Sequence, residues 1–396
     1  MKSIKIVGIG SGSIQELTLK AYKTIEDASI VIAFDRVAQL LSEINKNIIN
    51  VKLSNLVDEI EKLKDEEIVI VLSGDINFYS ATNYIQRNLN NEYQIELIPG
   101  LSSYQILCAK MNISYEKMQF ISLHGLQQEI KIAVAIKEKT FFLLDAKHNV
   151  NWVLEELKDI KGLNFYIGEN LGMDEERLSR GSYADLKDKE YSVLAVMIIV
   201  NENVIDYNRT LYDEDFLRAK VPMTKQEIRW LSLSLLDLKE DDIVYDIGAG
   251  SGSISIAMGY KLTKGCVYAL EKKEDAFNLI KDNISHLNAY NVYPYHCSAL
   301  EMINELEVPT KVFIGGSGND IKDIIKNLLQ RNNKIEFVVT CITLETQAQV
   351  LSVFKELDFE YDVYSINSAR SHKVAQYNMM YANNPITIIK GGQASV

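Results

Sequence analysis

Between Ile243 and Ala257 the chain reads IVYDIGAGSGSISIA, where a β-branched and aromatic run predicts a strand ending at Asp246 and Ile247. The strand feeds a turn of Gly248, Ala249, Gly250, Ser251 and Gly252 before a predicted helix. Glycines at such a turn let the backbone bend sharply and come close to a ligand. A dinucleotide fingerprint wants a third glycine one position beyond Gly252, where Ser253 stands. Asp246, just ahead of the loop, would also be forced against the like charge of a pyrophosphate. A cationic ligand suits that carboxylate better, and S-adenosylmethionine, with its sulfonium and ammonium, is one. The next apolar run, CVYAL, ends at Glu271, 23 residues after Gly248. A carboxylate there is where nucleotide-binding sheets hold ribose hydroxyls. The competing reading makes Asp246 and Glu271 helix caps and the glycines a structural turn.

A second set of motifs lies in the first half: VGIGSGS from Val7, SGDINFYS from Ser73, IPGLSSYQ from Ile98 and ISLHG from Ile121. Gly74 and Asp75 follow a predicted buried strand at its carboxyl edge, where open α/β sheets bind ligands. Pro99 and Gly100 set a turn that presents Ser102 and Ser103 at a helix start, although either serine could simply cap that helix. His124 could meet a substrate or be a satisfied core histidine. VGIGSG alone suggests a nicotinamide site with Asp35 as the ribose acid, but that leaves the other three motifs unexplained.

The elements that must position these residues follow from alternating short β-branched runs and amphipathic stretches, which predict an α/β architecture. Strands are expected at Ile68–Leu72, Tyr93–Ile98, Gln119–Leu123, Thr140–Leu144, Asn164–Ile167 and Ser192–Val200, and late ones at Glu336–Ile342 and Pro385–Ile389. The polar, patternless stretch after Val200 places a domain boundary near residues 201–220. A chain of 396 residues accommodates two or three domains. Its formal net charge of -12 and lack of a dense Lys/Arg stretch argue against nucleic-acid binding. Four scattered cysteines without CxxC spacing predict neither a zinc site nor disulfides and fit a reducing cytoplasm. No run is long enough to span a bilayer, and the N-terminus lacks signal-peptide character, so no membrane is expected.

With VPMTKQEIR upstream of the glycine loop, and CSALEMI and FIGGSGND downstream, the second half resembles class I decarboxylating precorrin methyltransferases. The first-half motifs resemble class III tetrapyrrole methyltransferases, above all those that methylate carbon 5 of precorrin-7. The implied architecture is α/β: a two-lobed class III tetrapyrrole methylase domain at 1–205, a linker at 206–220, and a Rossmann-like class I methyltransferase domain at 221–396. Their order resembles fused methyltransferases of vitamin B12 synthesis, which methylate carbons 5 and 15 of a (cobalt-)precorrin and decarboxylate the ring C acetate.

The resemblance implies S-adenosylmethionine in each domain, contacted in the second by Thr224, Asp246, Gly248, Ala249, Gly250, Ser251, Gly252, Glu271 and Ala299, and in the first by Gly74, Asp75, Ser102 and Ser103. It also implies self-association. A polycarboxylate macrocycle needs local cations, for which Lys225, Arg229, Arg370, His372 and, in the first half, His124 are candidates. No metal or catalytic nucleophile is expected. The alternatives are a class I methyltransferase acting on another metabolite or RNA beside an N-terminal binding domain, and a nicotinamide-dependent oxidoreductase.

Overall fold

The computed structural model describes residues 2–34, 36–63, 67–89, 93–125, 129–316, 318 and 320–393; Asp35 lies outside them. The chain forms two compact units, one of residues 1–130 and 137–204, the other of residues 131–136 and 205–396.

The first unit carries two sheets. Strands β1 (Lys2–Gly8), β2 (Val31–Ala33), β3 (Ile48–Asn50), β4 (Glu67–Leu72) and β5 (Tyr93–Ile98) make a parallel sheet in the order β3-β2-β4-β1-β5. The run IVIVL of β4 is buried on both faces, as a central strand of a doubly covered parallel sheet should be. Strands β6 (Gln119–Ser122), β7 (Lys139–Leu143), β8 (Leu163–Glu169), β9 (Arg177–Gly181) and β10 (Ala195–Asn201) form a mixed sheet, β6-β7-β10-β8-β9. Here β10 begins three residues later than the apolar run suggests. Glu169, buried and paired with Arg177, accepts the Ser192 N–H at 2.7 Å and holds that segment out of the ladder.

The second unit is built on β11 (Ile243–Ile247), β12 (Cys266–Glu271), β13 (Val292–His296), β14 (Lys311–Ile314), β15 (Glu336–Cys341), β16 (Glu360–Ile366) and β19 (Ile386–Gly392). Between the last two stands a hairpin, β17 (Ala369–Val374) with β18 (Tyr377–Ala382). The sheet order is β13-β12-β11-β14-β15-β19-β16. Alternate residues of each strand enter two cores: Val244, Val267, Phe313 and Val338 pack on one face, Tyr245, Tyr268, Val312 and Phe337 on the other. Helices cover both faces, so both alternate sets are buried and the sheet is doubly wound. Only β19 is antiparallel to its neighbours, because the chain returns from β16 through the hairpin without a helical crossover.

The stretch expected as a linker is packed against this second core. Tyr207, Leu211 and Phe216 are buried, and Tyr207 stacks on Tyr260 at 4.4 Å and donates to the Asn288 carbonyl at 2.7 Å. Widely spaced aromatics among polar residues have no periodicity that would disclose such packing.

Candidate active site

In the second unit the strand order reverses at β11, and ligands of open α/β sheets bind in the crevice at such a switch point. The glycine loop fills that position. Gly248 has φ +75°, and a Cβ there would stand 2.2 Å from the Gly316 carbonyl oxygen, so only glycine lets the loops after β11 and β14 close together. Glu271 at the end of β12 accepts the Gly250 N–H at 2.8 Å and the Lys273 N–H at 2.9 Å. Each carboxylate oxygen keeps a lone pair for a further donor, so shaping the loop and holding ribose hydroxyls are compatible tasks.

Asp246 is buried at the end of β11. One oxygen accepts from Ser255 Oγ, while the other is buried without a partner. Burial, with Glu271 nearby, pushes its carboxyl up to about 7, although the Ser255 bond opposes this. Ser251 Oγ is a second buried, unpartnered polar atom. Both residues line a cavity of about 870 Å³. The far wall comes from the root of the hairpin, including Ser368 and Asn383. An acidic pocket with unsatisfied oxygens under a glycine turn fits the cationic amino-acid end of S-adenosylmethionine.

Thr224, Gly248, Ala249, Gly250, Glu271 and Ala299 also line this cavity, so the structure brings together the expected cofactor residues. Gly252 is the exception. It caps the helix Ser253–Gly259 at φ +76° and backs onto Ile280, because the helix must start there to close the turn.

In the first unit the loops after β1, β4 and β5 meet. Gly10 and Gly74 exchange backbone hydrogen bonds of 3.1 and 2.7 Å. A Cβ on Gly8 would stand 2.7 Å from the Gly100 nitrogen and the Gly74 carbonyl. VGIGSG therefore spends its Gly10 amide on Gly74 and is followed by the short 3-10 turn Ile14–Glu16, a poor match to a nicotinamide-type phosphate loop. Asp75 follows Gly74 at this edge, with one buried carboxylate oxygen unpartnered. Ser102 stands at the start of the helix Ser103–Met111, where Gln105 Oε1 accepts its N–H at 2.8 Å, but Ser102 Oγ is buried without a partner and does not cap the helix; Ser103 is the first helical residue. His124 is exposed at the end of β6.

The precorrin methyltransferase domain model matches residues 215–391, and the tetrapyrrole (corrin/porphyrin) methylase model matches residues 3–187. A probable cobalt-precorrin-6B C(15)-methyltransferase (decarboxylating) of Methanococcus vannielii is 34% identical over 180 residues, 45% of this chain and 96% of that protein. This chain belongs to the precorrin methyltransferase family. A protein of the same description from Pyrobaculum calidifontis is 36% identical over 180 residues, 45% of this chain and 92% of its own length. The crystal structure of precorrin-6Y C5,15-methyltransferase from Geobacter metallireducens is 32% identical, covering 47% of this chain and 96% of that one, with a TM-score of 0.45.

For a precorrin methyltransferase, the cations expected to meet a polycarboxylate need correcting. Lys225 lines the cavity. Arg229 does not: it is fully buried, donates to the Thr224 and Leu211 carbonyls, pairs with Asp213 at 3.2 Å and covers the Phe216 ring. Its position on the inward face of the helix Gln226–Leu236 decides this. Arg370 is held by Glu227 at 2.6 Å and lies off the cavity wall. His372 is exposed on the hairpin, edge-on to Tyr381. The cations that do reach the wall, besides Lys225, are Lys272 and Lys273. Their adjacency to Glu271 was the available signal, and pattern reading passes over it because paired lysines are common on solvated surfaces.

Proposed function

We propose that this chain acts in cobalamin biosynthesis, methylating a (cobalt-)precorrin at carbons 5 and 15 and removing the ring C acetate carboxyl as carbon dioxide. Membership of the family supports the class of reaction. The observation that carries the second site is the single cavity joining a glycine loop, the unsatisfied Asp246 and Ser251 oxygens and the lysines at 225, 272 and 273. S-adenosylmethionine supplies an electrophilic methyl group when bound.

The chain's own residues do the positioning. Asp246 provides the charge opposite a ligand ammonium, Glu271 orients ribose hydroxyls, and the glycine backbone permits close approach. Lys225 and Lys273, beside Lys272 whose ammonium is paired with Asp320 at 3.0 Å, give an acidic protein a local cationic rim for substrate carboxylates. Apolar side chains on the cavity wall, among them Ile228, Phe313 and Ile386, exclude water and strengthen each charge contact. An electron-rich bridge carbon attacks directly, so alignment in a dry pocket is the main demand, worth about 7–11 kcal/mol in favourable systems. As the bond to the carboxyl breaks and carbon dioxide leaves, its electron pair passes into the conjugated macrocycle, and a proton taken up at the former acetate carbon completes the methyl group.

One donor site in each unit is part of the same reading. The buried, unpartnered Asp75 oxygen at the carboxyl edge of the first parallel sheet supports it. A reducing cytoplasm suits the four unbridged cysteines. Incubating the chain with isotopically labelled S-adenosylmethionine and precorrin-6B, with and without cobalt, should give a product carrying two labelled methyls and lacking one carbon dioxide. No methyl transfer to either macrocycle would overturn the reading.

A further inference from the structure

The cavity of the second unit has two walls that are far apart in sequence. One is the strap of residues 221–225 together with the glycine loop; the other is the root of the hairpin, where Ser368, Asn383 and Asn384 stand. The Asn383 N–H donates to the Ser368 carbonyl at 2.8 Å, and Asn383 Nδ2 reaches Ser368 Oγ at 3.0 Å, so the two strands are tied at the root. Beyond it both strands are exposed along most of their length, and an isolated two-stranded ribbon holds its position poorly by itself.

A circuit of charges supplies the missing anchor. Arg370 on β17 donates from Nε to Glu227 in the first turn of the helix Gln226–Leu236, at 2.6 Å, and its Nη1 lies 3.6 Å from Asp213. Asp213 also pairs with Arg229, whose Nη1 donates to the Thr224 carbonyl at 3.0 Å. The circuit thus runs from the hairpin back to the strap. The remaining Glu227 oxygen and Arg370 Nη2 are buried without partners, while 33% of the Arg370 side chain and 28% of the Glu227 side chain stay exposed, so the link is shielded from water only in part. The Arg370 bond holds the Glu227 carboxyl below the usual carboxylate range.

We propose that Arg370 and Glu227 are positioning residues that fix the hairpin root against the strap and so set the width of the cavity on the acceptor side. This rests on reading the cavity as the methyl-transfer site. Arg229, which grips the strap directly, sets the cofactor side; Arg370 governs where the macrocycle rests.

The test uses the full-length chain with R370A, E227Q, the double variant and R370K. R370A and E227Q should each raise the macrocycle KM by ~10-fold, the scale of one charge-assisted hydrogen bond, with kcat and S-adenosylmethionine Kd little changed. The double variant should be no worse than the poorer single variant, and R370K should restore part of the loss. Amide exchange at Asn383 should quicken in R370A. Multiplying effects in the double variant, or a parallel loss of S-adenosylmethionine affinity, would overturn the proposal. If the unaltered chain transfers no methyl, the functional reading fails; unchanged exchange at Asn383 in R370A overturns the anchor by itself.

Discussion

At the residue scale, Asp246 is where burial and ligand charge oppose each other. Its carboxyl, raised to about 7, is largely protonated at pH 6 in the unliganded protein. A bound cation favours the ionised form, so binding S-adenosylmethionine near pH 6 should release a proton that binding at pH 8 does not. Affinity should therefore climb with pH to about 7 and then level off. Calorimetry in buffers of different ionisation enthalpy measures the released proton, and D246N should remove both proton and slope. The sign for stability is opposite. A raised acid favours the folded state fully below its unfolded value of about 3.9, and that contribution is lost as pH rises towards 7. Thermal melts of the ligand-free chain across this window should show the decline, and D246N should flatten it. Gly248 gives a second residue-scale expectation. Gly248→Ala adds a Cβ overlapping the Gly316 carbonyl at a left-handed φ, and should cost about 2 kcal/mol or more and abolish binding at this site. Melting and titration of the same variant check both.

At the element scale, the strap 221–225 is held from behind. Arg229 spans Thr224, Leu211 and Asp213 with a planar fork of donors that a lysine cannot reproduce. Arg229→Lys should lose about 1.5–3 kcal/mol of stability from the missing charge-assisted bonds. It should weaken S-adenosylmethionine binding while the macrocycle KM moves less, the reverse of R370A; separate titrations of the two ligands distinguish them. The same network shows that residues 206–220 help to build the second unit: Leu211, Asp213 and Phe216 are all partners of Arg229.

At the scale of the whole molecule, a chain with net charge -12 presents three lysines in the lining of one cavity. Exposed lysines are screened by salt, so macrocycle binding should weaken as ionic strength rises from about 0.01 to 0.15 M, over which the Debye length falls from about 30 to 8 Å. The proposed donor site in each unit predicts two S-adenosylmethionine molecules bound per chain. D246N should leave one and keep carbon-5 methylation, whereas D75N should impair carbon 5 and spare carbon 15. Equilibrium dialysis counts the sites, and mass spectrometry of the product locates the methyls. Loss of both methyls in either variant would count against separate sites. Among the described residues, no helix is long and apolar enough to cross a membrane.

The sequence by itself determined the features that are local in the chain. The strand, glycine turn and downstream acid fix Asp246, Gly248 and Glu271 because a turn and the strands on either side of it are set by neighbouring residues. The same holds for Gly74, Asp75 and Ser102, whose motifs directly follow predicted strands. Only the tertiary structure decided which cations face the cavity. Arg229 and Lys225 are four residues apart, yet one is sealed beneath the helix and the other lines the pocket, since helix rotation and the distant Asp213 choose between them. Arg370 meets Glu227 across 143 positions, and no local pattern encodes a partner that far away. The cavity walls come from separate stretches of the second unit that only folding brings together, and for that reason the glycine loop was legible in advance while the wall opposite it was not.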